Sequence, residues 1–208
     1  MVDVLPQLVS FIHGVESEFD LIPSERKSEL AQLADYCLKT LQSNREVNLI
    51  FICTHNSRRS HISQLWAKVA ASYNGFSNIL TFSGGTEGTA FNPRAVLALK
   101  NSGFEIRALD QSENPLYEAI YSKERPAEKC FSKAYDHPAN PSDKFGAVMT
   151  CSDADEACPT VFGAEYRIAI KYEDPKKFDD TDLESEKYAE RVRQIAREMV
   201  YAFSLLKQ

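Results

Sequence analysis

The chain has 208 residues, 43% of them apolar, and a formal net charge of -6. That suits one domain with a substantial core, or one domain with an appendage. The acidic balance and the lack of a basic cluster exclude nucleic acid and a membrane surface as expected partners. With no signal-peptide pattern and no apolar run of spanning length, a cytoplasmic protein is expected.

Residues 1–45 read as a helical N-terminal extension packed on the core, with a dimerisation surface as the alternative; the oligomeric state stays open. Leu5, Leu8, Val9, Phe11 and Ile12 suggest a short helix. Ser24 is placed to cap a longer one through Leu30, Leu33, Ala34, Cys37, Leu38 and Leu41, at the spacing of a helical face. Residues 46–208 then alternate strand and helix, which implies parallel pairing and right-handed crossovers. Val47–Ile52 reads as a buried strand, residues 60–73 as a helix, and Ile79–Phe82 as a second strand. Asn92-Pro93 starts another helix that Gly103 closes. An insertion of about residues 112–144 holds two strand-like runs, Tyr117–Tyr121 and Lys129–Tyr135, read as a hairpin or two edge segments. It is either a lip over a site or decoration. Phe145–Thr150 and Tyr166–Ile170 are strands, and a final helix covers about 181–206. Its Arg191, Arg193 and Arg197 complement the helix dipole.

The five cysteines are Cys37, Cys53, Cys130, Cys151 and Cys158. No CxxC pair occurs, and His13, His55, His61 and His137 lack zinc-finger spacing to them, so no metal site and no cofactor is expected. Cys37 lies on an apolar helical face and reads as core. His61 and His137 read as surface residues.

The chemistry concentrates in Val47–Ser60. A buried strand breaks into Cys53-Thr54-His55-Asn56-Ser57-Arg58-Arg59, and Ser60 opens a helix. Strand, anion-sized loop and helix together surround an oxyanion with backbone N–H groups and a helix N-terminus. The same field favours a thiolate at Cys53. Arg59 has the planar fork to hold two oxygens of phosphate or arsenate as charge redistributes. Ser60 can donate to the thiolate, and the Asn56 amide can brace the loop. A buried structural cysteine at a strand end is the plainer alternative. Downstream, Asp174-Pro175 follows a strand and sits on a loop at a carboxyl end of the sheet, where sites gather in α/β folds; an ordinary Asp-Pro turn is the alternative there. Asp179, Asp180 and Asp182 read as a solvated face and helix cap.

The segment from Cys53 to Ser60 resembles the active-site loop of the low-molecular-weight protein tyrosine phosphatase superfamily, which includes the thioredoxin-coupled arsenate reductases. The resemblance covers about residues 46–206. It implies a three-layer α/β fold, a four-stranded parallel sheet with helices on both faces. It also implies Cys53 as nucleophile, Arg59 as oxyanion clamp, and Asp174 as the general acid that protonates the leaving group or a departing oxygen. Two positions differ: His55 stands where the family usually has glycine, and Arg58 where it often has a small residue or cysteine. Histidine tolerates a positive φ better than most residues, and an added arginine raises the local positive potential.

Cys151-Ser-Asp-Ala-Asp-Glu-Ala-Cys158-Pro159 resembles the cysteine pair that the thioredoxin-coupled reductases carry. It implies a relay: Cys151 takes the Cys53–arsenic adduct to arsenite, Cys158 takes over the disulfide, and thioredoxin reduces it. Two unrelated thiols are the alternative. The expected function is thus arsenate reduction. The alternatives are hydrolysis of phosphotyrosine or a small phosphoester through a Cys53 phosphocysteine, and a non-catalytic oxyanion-binding or thiol redox-sensing module.

Overall fold

The computed structural model describes residues 3–158 and 160–207; Pro159 of the cysteine-pair segment lies outside them. Two helices, α1 (Pro6–Glu16) and α2 (Ser24–Gln42), precede the first strand, β1 (Val47–Cys53). Then follow α3 (Arg59–Tyr73), β2 (Ile79–Gly85), α4 (Pro93–Asn101), β3 (Glu105–Ala108), β4 (Tyr117–Ile120) and β5 (Glu128–Cys130). The chain ends with β6 (Phe145–Met149), α5 (Ser152–Ala157), β7 (Ala164–Ala169) and α6 (Glu184–Ser204).

The main sheet has the order β2-β1-β6-β7, and all of its pairings are parallel. This is the expected three-layer α/β fold. β1 lies inside the sheet, and its alternate residues serve different layers. Val47, Leu49 and Phe51 join the larger core with α1, α2, α3 and α6. Ile50, Ile52 and Cys53 face a smaller one with Phe145, Met149, Cys151 and Ala154 of α5. An apolar strand buried on both faces needs this continuous run of Val, Leu, Ile and Phe.

α1 and α2 belong to the larger core. Leu8, Ile12, Val15 and Leu30 are each 0% exposed. Arg193 and Arg197 of α6 pair with Glu18, which follows α1, at 2.5 and 3.3 Å. They tie the N-terminal helices to α6 and are not merely complements of its dipole.

Several local expectations are corrected. Ser24 is the first residue of α2 and no cap: Pro23 holds that place, and no side chain caps it. Proline pre-sets the entry but offers no side-chain acceptor. α6 begins at Glu184, not 181; Asp180, at φ +61°, and a turn closed by Glu184 N–H on Thr181 O precede it. Asn92 caps α4 as expected, accepting from the Arg94 N–H at 2.9 Å.

The hairpin within the insertion is present as β4–β5, but it forms no edge of the main sheet. It belongs to a separate antiparallel sheet, β3-β4-β5. β3 had no sequence signal, since Glu-Ile-Arg-Ala places only Ile106 inside. The run read as strand to Tyr135 stops at Cys130. Beyond it, Lys133 O and Tyr135 N–H bond to Gly85, forming a single parallel bridge at the end of β2.

Candidate active site

The loop from Thr54 to Arg58 joins the end of β1 to the start of α3. Its tightness is built by Asn56, at φ +44°, a region that Asn enters more readily than most residues. The unusual φ thus falls at Asn56 and not at His55. Gly85 permits the close passage of the neighbouring strand: a Cβ there would sit 2.6 Å from Thr54 O and 2.7 Å from Asn56 N. The N–H groups of Asn56, Ser57, Arg58 and Arg59 donate to no protein acceptor among the described residues. Convergent free donors at a helix start make an anion cradle.

Cys53 is 3% exposed and its Sγ lies 3.1 Å from Ser60 Oγ. Asn56 Nδ2 donates to Ser60 Oγ at 2.8 Å, which leaves the Ser60 proton free for the sulfur. The Asn56 amide is itself fixed, since Oδ1 accepts from Lys133 N at 2.9 Å. Ser132 Oγ donates to His55 O at 2.9 Å. Residues 132 and 133 of the insertion therefore brace the loop directly, a role outside the choice between lip and decoration. His55 is half-buried, with Nε2 at 3.0 Å from Glu87 Oε1.

Arg59 is 8% exposed. Its Nη1 donates to Tyr172 O at 3.1 Å, and its Nη2 lies 2.8 Å from Asp174 Oδ2. Asp174 caps the short 3-10 turn Pro175–Phe178, accepting from Lys176 N at 3.0 Å. Arg59 and Asp174 are thus brought together, and Cys53 opens the loop that Arg59 closes. An open cleft of about 700 Å³ runs from Arg59 and Asp174 past Tyr172, Lys171 and Lys176 to Ser152.

Arg58 does not add a free positive charge to the cradle. Its Nε donates to Tyr188 OH at 2.7 Å and its Nη2 to Asp179 Oδ2 at 3.2 Å, with Asp174 Oδ1 at 4.0 Å. Tyr188 OH donates in turn to Asp179 Oδ1 at 2.8 Å. Burial and its place beside Asp179 push the Tyr188 hydroxyl up to about 12. Asp179 is therefore no solvated acid; it neutralises Arg58 and also faces Arg94 Nη1 at 3.7 Å. Tyr188 looked only like one more member of the apolar face of α6, and Asp179 like one acid in an acidic run. Neither carried a separate sequence signal.

Thr150, which follows β6, donates both N–H and Oγ1 to Ile52 O, at 2.7 and 2.9 Å. Cys151 is thereby set beside the end of β1, buried, with Sγ 3.6 Å from Thr54 Oγ1. It caps α5, accepting from Ala154 N at 3.4 Å. Cys158 is partly exposed at the other end of that helix. β7 holds this helix: Arg167 Nη2 reaches Asp155 O at 2.8 Å, Arg167 Nε reaches Cys158 O at 3.2 Å, and Lys171 Nζ lies 2.7 Å from Asp155 Oδ2.

Cys37 and Cys130 are buried and remote from this chemistry; burial pushes both thiols up to about 12. His61 is not a surface residue. It is fully buried, stacked at 4.0 Å on Phe91, with Nδ1 3.1 Å from Ser83 Oγ. α3 is enclosed on all sides, so its polar positions had no solvent face to occupy. Among the described residues, no group of three His, Cys, Asp or Glu gathers to hold a metal.

No family model matches the chain. Among curated proteins it is similar to an arsenate reductase of Brevibacillus brevis, 30% identical over 129 residues, covering 61% of this chain and 75% of that one. An arsenate reductase of Halalkalibacterium halodurans is 28% identical over 150 residues, covering 72% and 88%. Among solved structures, a YwlE mutant from Bacillus subtilis superposes with a TM-score of 0.54 at 14% identity, over 78% of this chain and 100% of that one. A low-molecular-weight phosphotyrosine phosphatase from Vibrio cholerae gives 0.52 at 13% identity, over 78% and 97%. The structural likenesses concern the fold, and the sequence likeness concerns descent. By the sequence likeness the chain belongs to the arsenate reductase family, and by the structural one its fold is that of a low-molecular-weight phosphotyrosine phosphatase.

Proposed function

We propose that the chain reduces arsenate to arsenite through Cys53, Cys151 and Cys158, with thioredoxin as the reductant. The Cys53 thiolate attacks arsenic while Arg59 and the loop N–H groups hold the oxyanion. Asp174 gives a proton to the departing oxygen, which leaves as water. The Cys151 thiolate then attacks Cys53 Sγ; the sulfur–arsenic bonding pair passes to arsenic, arsenite leaves, and a Cys53–Cys151 disulfide remains. Cys158 attacks Cys151 and frees Cys53, and a dithiol reductant opens the Cys151–Cys158 disulfide. The observation that carries this reading is the seat of Cys151, buried beside the strand that ends in Cys53.

The last transfer requires movement. Seven residues of helix separate two Cα atoms by roughly 10 Å, whereas a disulfide needs about 4.4–6.8 Å. α5 must therefore unwind for Cys158 to reach Cys151. Its single turn and a half and its dependence on Asp155 favour that. The relay needs a reducing compartment, which supports a cytoplasmic location; no helix of the described residues is long and apolar enough to cross a membrane. Residues 46–208 are read as the catalytic domain and 1–45 as its extension.

Hydrolysis of phosphotyrosine or a small phosphoester is the second reading. Cys53, Arg59 and Asp174 suffice for it, and the cleft is roomier than an inorganic oxyanion needs. The test is arsenate turnover coupled to thioredoxin and its reductase. Cys151→Ser and Cys158→Ser are expected to abolish steady-state turnover while phosphoester hydrolysis persists. Unchanged arsenate turnover in both variants would remove the relay and leave the phosphatase.

A further inference from the structure

Under the acid loop, a partly buried polar cluster lies between α2, the residues that follow β7, and α6. Arg26 of α2 donates from Nη2 to Lys171 O at 2.5 Å and pairs through Nη1 with Glu29 at 2.6 Å. Its Nε lies 3.5 Å from Glu198 Oε2, and its guanidinium sits 5.4 Å from the centroid of the Tyr172 ring. Glu198 is 2% exposed and Tyr172 4%. The Tyr172 backbone is held from the opposite side: its N–H donates to Thr150 O at 3.0 Å, and its carbonyl accepts from Arg59 Nη1.

Two guanidinium groups therefore grip two successive peptide planes. Arg26, from the N-terminal helices, holds the carbonyl of Lys171; Arg59, from the anion loop, holds that of Tyr172. Asp174 follows two residues later, paired with the same Arg59. Apolar residues of equal volume hold helices together as well as a buried ion cluster does. What they cannot do is fix the direction of a carbonyl, and the fork of an arginine can.

We propose that Arg26 is a positioning residue for the acid loop: it orients the Lys171–Tyr172 peptide, and through it the next peptide, whose Tyr172 carbonyl holds Arg59 and which leads to Asp174. The N-terminal helices are thereby coupled to proton transfer at the site. The proposal rests on the reading of Asp174 as the general acid.

The test compares Arg26→Gln, Arg26→Lys and Asp174→Asn with the wild type on two esters, phenyl phosphate and dinitrophenyl phosphate. The first has a poor leaving group that needs a proton; the second does not. For Arg26→Gln, kcat on phenyl phosphate is expected to fall about tenfold while the dinitrophenyl ester stays within about twofold. Calorimetric affinity for inorganic phosphate should stay within about threefold of wild type, because the loop N–H groups are untouched. Arg26→Lys keeps the charge near Glu198 but loses the fork, so an intermediate selective loss is expected; it decides the matter where Arg26→Gln does not fold. A uniform loss on both esters, or no loss on either, overturns the role of Arg26. Asp174→Asn should show a larger selective loss. If it shows none, or if the wild type turns over neither ester, the acid reading falls and the proposal falls with it.

Discussion

Two polar side chains at Cys53, Ser60 and Asn56, each have their partner fixed by a further one, so this part of the loop is pre-set before any anion enters. Ser60 faces the sulfur because Asn56 occupies its lone pair, and Asn56 is oriented because Lys133 N–H occupies its carbonyl. Arg59→Lys removes the fork and is expected to lower kcat by about 10²-fold with the fold unchanged, read from steady-state kinetics and circular dichroism. A second residue gives a stability prediction. His61 is held neutral, its pKa well below 6.5, first by burial and then by the nearby Lys133 charge. The unfolded chain then binds a proton that the folded chain refuses. Stability is full above pH 6.5 and falls as pH drops below it, by at most about 1.4 kcal/mol per pH unit. Urea unfolding from pH 7.5 to 5 should show this slope, and His61→Gln should flatten it. From sequence, Cys53, Arg59, Ser60 and Asn56 were legible because their types and spacing follow the needs of an oxyanion. His61 was not, because burial of a polar helix face depends on elements far away in the chain.

At the scale of elements, strand β6 does two things at once. It completes the parallel sheet beside β1 and delivers Cys151 to the site through Thr150. α5 then depends on a latch. Arg167 and Lys171 bond to Asp155; burial opposes its ionisation, and those hydrogen bonds outweigh it and hold its pKa below 3.8. A depressed carboxylate stabilises above its unfolded pKa and loses that contribution as pH falls through the folded value. At neutral pH the latch is fully engaged. Asp155→Asn removes two partly exposed ion pairs, to Arg167 and Lys171, with Asp155 at 17%. An effect of about 1 kcal/mol or less is expected, which would speed alkylation of Cys158 and closure of the Cys151–Cys158 disulfide by up to about fivefold. Mass spectrometry of quenched time points reads both. The inner strands β1 and β6 were legible because parallel strands buried on both faces are apolar runs. β3 was not, because a short strand in a separate antiparallel sheet takes its identity from the pairing with Tyr117–Ile120 and not from its own four residues.

For the whole molecule, the N-terminal helices are part of the core. Ile12 is 0% exposed and packs in the same cluster as Val192, Ile195 and Met199 of α6. Ile12→Ala should cost about 2–5 kcal/mol in urea unfolding; a change under about 0.5 kcal/mol would place α1 outside the cooperative unit. The helical pattern of residues 1–45 was readable as sequence, but its contribution to the site was not. The contact of Arg26 with Lys171 joins residues 145 apart, and no local period announces such a pair. The central claim concerns electron flow through three thiols, and one measurement reaches it directly. Reduced protein is given one equivalent of arsenate without reductant, quenched with acid, alkylated and mapped by mass spectrometry. The account predicts a Cys151–Cys158 disulfide in the wild type, a Cys53–Cys151 disulfide in Cys158→Ser, and arsenite in equal amount in both. Formation of arsenite with Cys151 still a free thiol would contradict it.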